Sequence, residues 1–214
     1  MKLLLATRNE HKRREFARLL AAADDADHDA AAAADDDDGA ALGIELDLLP
    51  ESVTLPPEDG ETFAENALGK ARAAAAATGR VSVADDSGIA AAALGGAPGV
   101  RSARYAGEDA SDEQNLAKLL AEAPAGSPLE YVCAIAYVDP ENSEERLFEG
   151  RCSGRLAAQP RGEGGFGYDP AFLPYDAGEG DDRTMAELSD AEKDAISHRG
   201  RAARALREWL EGRQ

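Results

Sequence analysis

The sequence predicts an α/β fold, a mixed twisted sheet flanked by helices, with two lobes around a cleft. Three observations predict it. Helix and strand signals alternate along most of the chain, the pattern of a sheet covered by helices. The two longest β runs, 129–138 and 146–152, follow one another across a short polar turn, so part of the sheet is antiparallel. The 214 residues are 43% hydrophobic, enough to build the core of one large domain.

The elements follow in order. Residues 2–6 are an apolar run that reads as a buried strand. Thr7 with Glu10 spells a capping box, and Phe16, Leu19 and Leu20 give the next helix an apolar side. Residues 21–43 hold eight Asp and no Lys or Arg. Such a stretch has no face to bury and is expected as a solvated insertion loop within one domain, 1–214. An EF-hand register through Gly39 puts Asp36, Asp38 and Glu45 on ligand positions but Ala34 on the first, which rejects it. Residues 44–49 read as a second strand before a Pro- and Glu-rich turn, 50–60. Thr62 and Glu65 cap an Ala-rich helix reaching about residue 77, and Gly79 ends it. Residues 81–84 form a third strand that runs into Asp85-Asp86-Ser87-Gly88. A glycine-rich connection, 95–99, leads to a helix capped by Ser111 and Gln114. The two long β runs pair through a turn at 139–143. Residues 161–168 form a glycine-rich loop. Ser189 and Glu192 cap a short helix carrying Lys193, and Ser197 opens the last helix, with Ala202, Ala205, Leu206, Trp209 and Leu210 on one face.

Charge narrows the function classes. Lys and Arg number 23 against 42 Asp and Glu, a net charge of −19. That balance excludes nucleic-acid backbone and anionic membrane surfaces as partners. No apolar run approaches ~18 residues, so no membrane span is expected. The first seven residues are too short for a signal peptide. Cys133 and Cys152 make neither a disulfide framework nor a metal cluster and are expected in the core. The expectation is a cytoplasmic protein. The basic residues are 18 Arg against 5 Lys on a strongly acidic chain, which suits a cytosol at molar salt, where self-repulsion is screened. A halophilic source is expected.

Four segments carry candidate chemistry. At Thr7-Arg8-Asn9-Glu10-His11-Lys12 a strand gives way to a helix, so free N–H groups and Lys12 suit a phosphate. Asp85-Asp86-Ser87-Gly88 follows a strand and offers carboxylates for Mg²⁺ or for a general base. Glu51, Glu58 and Glu61 are candidates for a second metal ligand. In Gly164-Gly165-Phe166-Gly167-Tyr168-Asp169, glycines let the backbone approach closely while an aromatic ring offers its face to a flat ligand. Lys193, His198 and Arg199 are donors suited to phosphate or a keto oxygen. Each segment alone also fits a bland role. Together they point to a Mg²⁺-dependent enzyme acting on a nucleoside phosphate, without fixing the bond broken.

The segments ATRNEHKRRE (6–15), ETFAENALGKA (61–71), ADDSG (84–88), LGGAPGVRSARYAGEDA (94–110), GGFGYDPAF (164–172) and ELSDAEKDAISHRG (187–200) together resemble the inosine/xanthosine triphosphate pyrophosphatases. The resemblance covers the chain except 21–43. It implies Mg²⁺-dependent hydrolysis of ITP, dITP and XTP to monophosphate and pyrophosphate, by a homodimer. It implies that Thr7, Arg8, Asn9, Glu10, His11 and Lys12 hold the triphosphate. Asp86 is then general base and metal ligand, with Glu58 preferred over Glu51 as the second ligand. Ser87 contacts substrate, Phe166 stacks on the base beside Gly167, Tyr168 and Asp169, and Lys193, His198 and Arg199 complete the pocket. Arg8 stands where the family often has glycine, and its charge is expected beside the phosphates. Donors from His198 and Arg199 are expected to favour a 6-keto purine over a 6-amino one. Two rivals stay open: a sister pyrophosphatase with another base preference, and a non-catalytic nucleotide sensor.

Overall fold

A computed structural model describes residues 1–21 and 44–213. The acidic stretch expected as an insertion lies, beyond Ala21, outside the described residues. The strands are β1 (Lys2–Leu5), β2 (Glu45–Leu48), β3 (Ser82–Ala91), β4 (Pro128–Asp139), β5 (Glu144–Leu156) and β6 (Phe172–Pro174). The α-helices are α1 (Glu10–Ala21), α2 (Phe63–Thr78), α3 (Asp112–Glu122), α4 (Asp190–Ile196) and α5 (His198–Glu211). The strands form one sheet in the order β2-β1-β3-β4-β5-β6. β1 runs parallel to β2 and β3, and the remaining pairs are antiparallel, so the sheet is mixed, as expected.

The pleat sends alternate side chains to opposite faces. Leu3, Leu5, Val83, Cys133, Ile135 and Tyr137 meet Phe16, Leu206 and Leu210 of α1 and α5. Leu4, Ala84, Ala134, Ala136 and Val138 meet Ala67, Ala71 and Ala74 of α2. Toward the far end of β3–β5, Ile89, Leu129, Tyr131 and Cys152 pack with Leu119 of α3 and with Phe172. Both cysteines are buried, as expected. Gly150 on β5 has a packing reason: a Cβ there would run into the His198 carbonyl and the Ala202 amide. Only glycine lets α5 lie this close, and that placement brings the start of α5 to the cleft.

Three expected details change. The cap of α1 moves from Thr7 to Asn9, and the side chain of Glu10, the other half of the expected capping box, lies outside the described residues. The Thr7 hydroxyl accepts from the Asn9 amide, and Asn9 Oδ1 accepts from the Lys12 amide at 3.1 Å, so Asn9 is the cap. The short strand β6 is additional to the expected elements. It pairs with β5 over three residues, too few to leave a periodic signal. The third change bears on the site. Asp85-Asp86-Ser87-Gly88 does not follow β3 but lies inside it, with Asp85 opposite Ile135 and Asp86 opposite Ala134. β1 pairs with β3 only at Leu4↔Ser82 and Leu5↔Val83. From Ala84 to Ile89, β3 therefore has β4 on one side and no strand on the other among the described residues. The segment lies beyond the carboxyl end of β1, not of its own strand.

Candidate active site

Asp85 and Asp86 are neighbours in a strand, so their carboxylates face opposite sides of the sheet. Asp86 points toward α2. Its Oδ2 accepts from Asn66 Nδ2 at 2.9 Å, and its Oδ1 accepts from the Ser87 amide at 3.0 Å. Burial pushes its pKa up; Lys70 opposes that shift and Glu58 adds to it. Lys70 in turn pairs with Glu58. Asn66 and Lys70 interrupt the alanine face that α2 buries, and both are themselves buried. Two polar residues four apart on a buried helical stripe were the signal available in the sequence, and the expected site omits both.

Asp85 points the other way, toward α1 and α5, and is 1% exposed. Lys12 Nζ lies 2.9 Å from its Oδ2, and Arg199 Nη2 lies 3.3 Å from the same atom. Burial alone would raise the pKa of Asp85, but Lys12, Arg199 and Lys70 overcome it and hold the carboxylate well below the usual range. Arg199, 2% exposed, also donates to Glu15 at 2.6 Å and to the Ser87 hydroxyl at 2.7 Å. The two aspartates are thus not a shared metal pair. Asp85 is neutralised within a buried Lys12–Asp85–Arg199–Glu15 set, while Asp86 faces the cleft. Glu15, one turn after Lys12, is a further residue that the expected site omits.

The glycine-rich loop forms the facing wall. Asp169 is its hub rather than an open ligand: it is buried, its Oδ1 accepts from the Tyr131 hydroxyl at 3.1 Å, and its Oδ2 accepts from the Phe166 amide at 3.0 Å. Lys193 Nζ lies 2.8 Å from the same Oδ2. Gly165, at φ 69°, has the Asp169 carboxylate where its Cβ would stand, so only glycine allows this turn. The Phe166 ring has Lys193 Nζ 5.2 Å and the Arg199 guanidinium carbon 5.6 Å from its centroid. The Tyr168 hydroxyl donates to the Ser102 carbonyl at 2.7 Å, and Asp112 Oδ2 accepts from the Gly167 amide at 3.0 Å. His198 stacks on Tyr131, with centroids 4.4 Å apart and planes 4° from parallel. Burial, then Arg199 and Lys193, press its pKa well below the ordinary value, so the imidazole is neutral. Its Nδ1 is buried without a hydrogen-bond partner among the described residues.

One cavity collects most of the expected residues. Asn9, Lys12, Glu58, Asp86, Ser87, Phe166, Gly167, Tyr168, Asp169, Lys193, His198 and Arg199 all line it. Tyr131, Ser102 and Asp112 join the lining without having been expected. Two expected residues stand apart. Thr7 is spent on the turn before α1. Arg8 does not reach the cavity lining: it donates to the carbonyls of Val53 at 2.7 Å and Glu51 at 3.2 Å, tying α1 to the β2–α2 connection. The side chains of Glu10 and His11 lie outside the described part of the structure. Among the described residues no group of three or more His, Cys, Asp or Glu is arranged to hold a metal. Asp86 and Glu58 remain as two carboxylates that share one electrostatic neighbourhood.

Residues 3–209 match the model of the Ham1 family. The chain is 47% identical to the dITP/XTP pyrophosphatase of Mycobacterium tuberculosis, over 96% of this chain and 93% of that protein. Its structure is similar to that of a HAM1 protein from Coxiella burnetii, with a TM-score of 0.80 and 38% identity over 99% of each chain. It is also similar to a nucleoside-triphosphatase/dITP/XTP pyrophosphatase from Mycobacterium abscessus, with a TM-score of 0.68 and 43% identity over 96% of this chain and 98% of that one.

Proposed function

The chain belongs to the Ham1 family, and from that premise we propose that it hydrolyses non-standard purine nucleoside triphosphates to the monophosphate and pyrophosphate. ITP, dITP and XTP are the substrates. One observation carries the reading: a carboxylate with a raised pKa, the ammonium groups of Lys12 and Lys193, and an aromatic ring on a glycine-rich loop all border one cavity. A nucleotide sensor has no use for a poised base, and Asp86 is held like one, its two oxygens oriented by Asn66 and by the Ser87 amide.

Asp86 takes a proton from a water that attacks the α-phosphorus. The new P–O bond forms as the bond to the bridging oxygen breaks, and pyrophosphate leaves. The raised pKa of Asp86 brings its basicity closer to neutral pH, where a general base is more effective. Lys12 and the amides at the start of α1 hold the phosphates. Lys12 is paired with Asp85, so its charge is positioned before substrate arrives. Asp86 and Glu58 are hard oxygen donors and fit Mg²⁺, which takes one or two carboxylates and keeps several waters. Held there, Mg²⁺ would offset phosphate charge and stabilise the leaving pyrophosphate.

Base discrimination is reassigned. Arg199 is committed to Glu15, Asp85 and Ser87, so its contribution is to fix Ser87. A neutral His198 can offer a donor or an acceptor and does not by itself separate a keto from an amino group. Lys193 can only donate. One of its three hydrogens goes to Asp169, and another is available for a 6-keto oxygen. A 6-amino group would meet a donor with a donor, which costs about 1–3 kcal/mol.

We read the chain as one pyrophosphatase domain whose two lobes border the cavity, acting as a cytoplasmic homodimer. The source is halophilic on this reading, supported by the charge of −19. No helix among the described residues is long and apolar enough to cross a membrane. The test is turnover of ITP, XTP, ATP, GTP and CTP with Mg²⁺, with and without a chelator, in concentrated salt. The expected outcome is metal-dependent release of pyrophosphate from ITP and XTP, about 10- to 100-fold faster than from ATP. Binding without turnover would leave the sensor, and faster turnover of a pyrimidine triphosphate would leave the sister enzyme.

A further inference from the structure

Asp112 is an exposed carboxylate that lines a cavity read as the site of a polyanion. A negative charge there opposes substrate binding unless it does something else. It stands at the first residue of α3, where Ser111 and Gln114 already satisfy the cap, so the helix start does not require it. Its Oδ2 instead accepts from the Gly167 amide at 3.0 Å, across 55 residues of chain. Gly167, at φ 64°, follows Phe166, whose own amide is held by Asp169. The residues on both sides of the loop apex are therefore fixed from below by Asp169 and from α3 by Asp112.

We propose that Asp112 is a positioning residue that latches the Gly164–Asp169 loop to α3 and so fixes the Phe166 ring for stacking on the purine. The proposal rests on the reading of Phe166 as the stacking ring. Without the latch the loop loses its tie to α3 while keeping the Asp169 brace, the Tyr168 anchor and the Gly164–Ala186 backbone bond. The ring is then less fixed, and more of its ordering falls at the moment of binding. The effect falls on binding rather than on the chemical step, because Asp112 bonds the backbone amide beside the ring and not a reacting group.

The experiment measures KM and kcat for ITP with Mg²⁺ in wild type, Asp112→Ala, Asp112→Asn, Phe166→Ala and the Asp112→Ala/Phe166→Ala double variant. Asp112→Ala is expected to raise KM about 3- to 10-fold with kcat within about twofold. Asp112→Asn keeps an oxygen for the Gly167 amide and is expected to recover at least half of that loss. In the Phe166→Ala background, Asp112→Ala is expected to add less than about 1.5-fold, since both act through one ring. A purely electrostatic Asp112 gives the opposite sign: KM falls when the charge is removed, in Ala and Asn alike, and that result overturns the proposal. So does an Asn variant as impaired as Ala, or full additivity in the double variant. If Phe166→Ala itself leaves KM unchanged, the stacking reading fails and the latch falls with it. Asp112 is exposed, so its truncation leaves the core intact; Asp112→Ser serves as a second truncation if Ala does not fold.

Discussion

The two walls of the cavity are built by different means. On one wall the side chains come from regular elements: Lys12 and Glu15 from α1, Asp85 and Asp86 from β3, Arg199 from α5. Lys12, Glu15, Asp85 and Arg199 satisfy one another's charge, and Glu15, Asp85 and Arg199 are buried. On the other wall Phe166 sits on a glycine-rich loop whose geometry comes from backbone amides received by Asp169 and Asp112. The first wall is stiff because moving any member strands a buried charge. The second is held by a few hydrogen bonds and can adapt. The lesson is that catalytic geometry and ring placement draw on different reserves: damage to the first wall removes turnover or the fold, whereas damage to the second removes affinity and selectivity.

Three measurements sharpen or break that contrast, beginning with the largest effect. Asp86→Asn removes the base and keeps the hydrogen-bonding shape. Turnover of ITP is expected to drop about 10²- to 10⁴-fold with nucleotide binding retained. Near-normal turnover would remove Asp86 as the base. In the wild type, the acid limb of kcat/KM is expected above the ordinary aspartate value of 3.8, because burial raises the group.

Arg199→Ala comes next. It removes the guanidinium that pairs with both buried carboxylates, Glu15 and Asp85, leaving Lys12 on Asp85, and is expected to cost about 3–5 kcal/mol in chemical denaturation. A loss under about 1 kcal/mol would show that this wall is not held by its charges. Phe166→Ala, truncating a half-exposed ring, is the matched control and should cost far less stability.

The smallest effect is in pH. Burial, Arg199 and Lys193 hold the folded pKa of His198 below its unfolded value. The unfolded chain therefore takes up the proton first as pH falls. The stability that neutral His198 contributes is fully present above about pH 6.5 and is lost as pH drops below it, by up to about 1.4 kcal/mol per unit. His198→Gln should flatten this slope between pH 7 and 5. An equally steep decline in that variant would locate the titration elsewhere. Asp85, also held low, adds a loss of the same sign only below about pH 4.

Much of this was legible in the chain. Three of the capping boxes read from sequence form as expected, at Thr62, Ser111 and Ser189, because a cap depends on residues three apart. At Thr7 the cap passes instead to Asn9, two residues on, whose side chain takes the Lys12 amide. The runs that mark β3 and β4 were readable, yet the apolar-run criterion ended the third strand at residue 84. Asp85 and Asp86 look like a terminus by composition and become strand only because β4 supplies ten register partners.

The sequence by itself determined the order of the elements, most of their helix caps and the glycine turn at 164–167, since each depends on neighbours a few residues away. The tertiary structure alone decided which charges neutralise each other. Glu15 meets Arg199 across 184 residues, Lys70 turns inward to Glu58, Arg8 is diverted to backbone carbonyls, and two adjacent aspartates go to opposite faces of one strand. The long-range pairings follow from sheet register and helix placement, and no local window of the chain contains both Glu15 and Arg199.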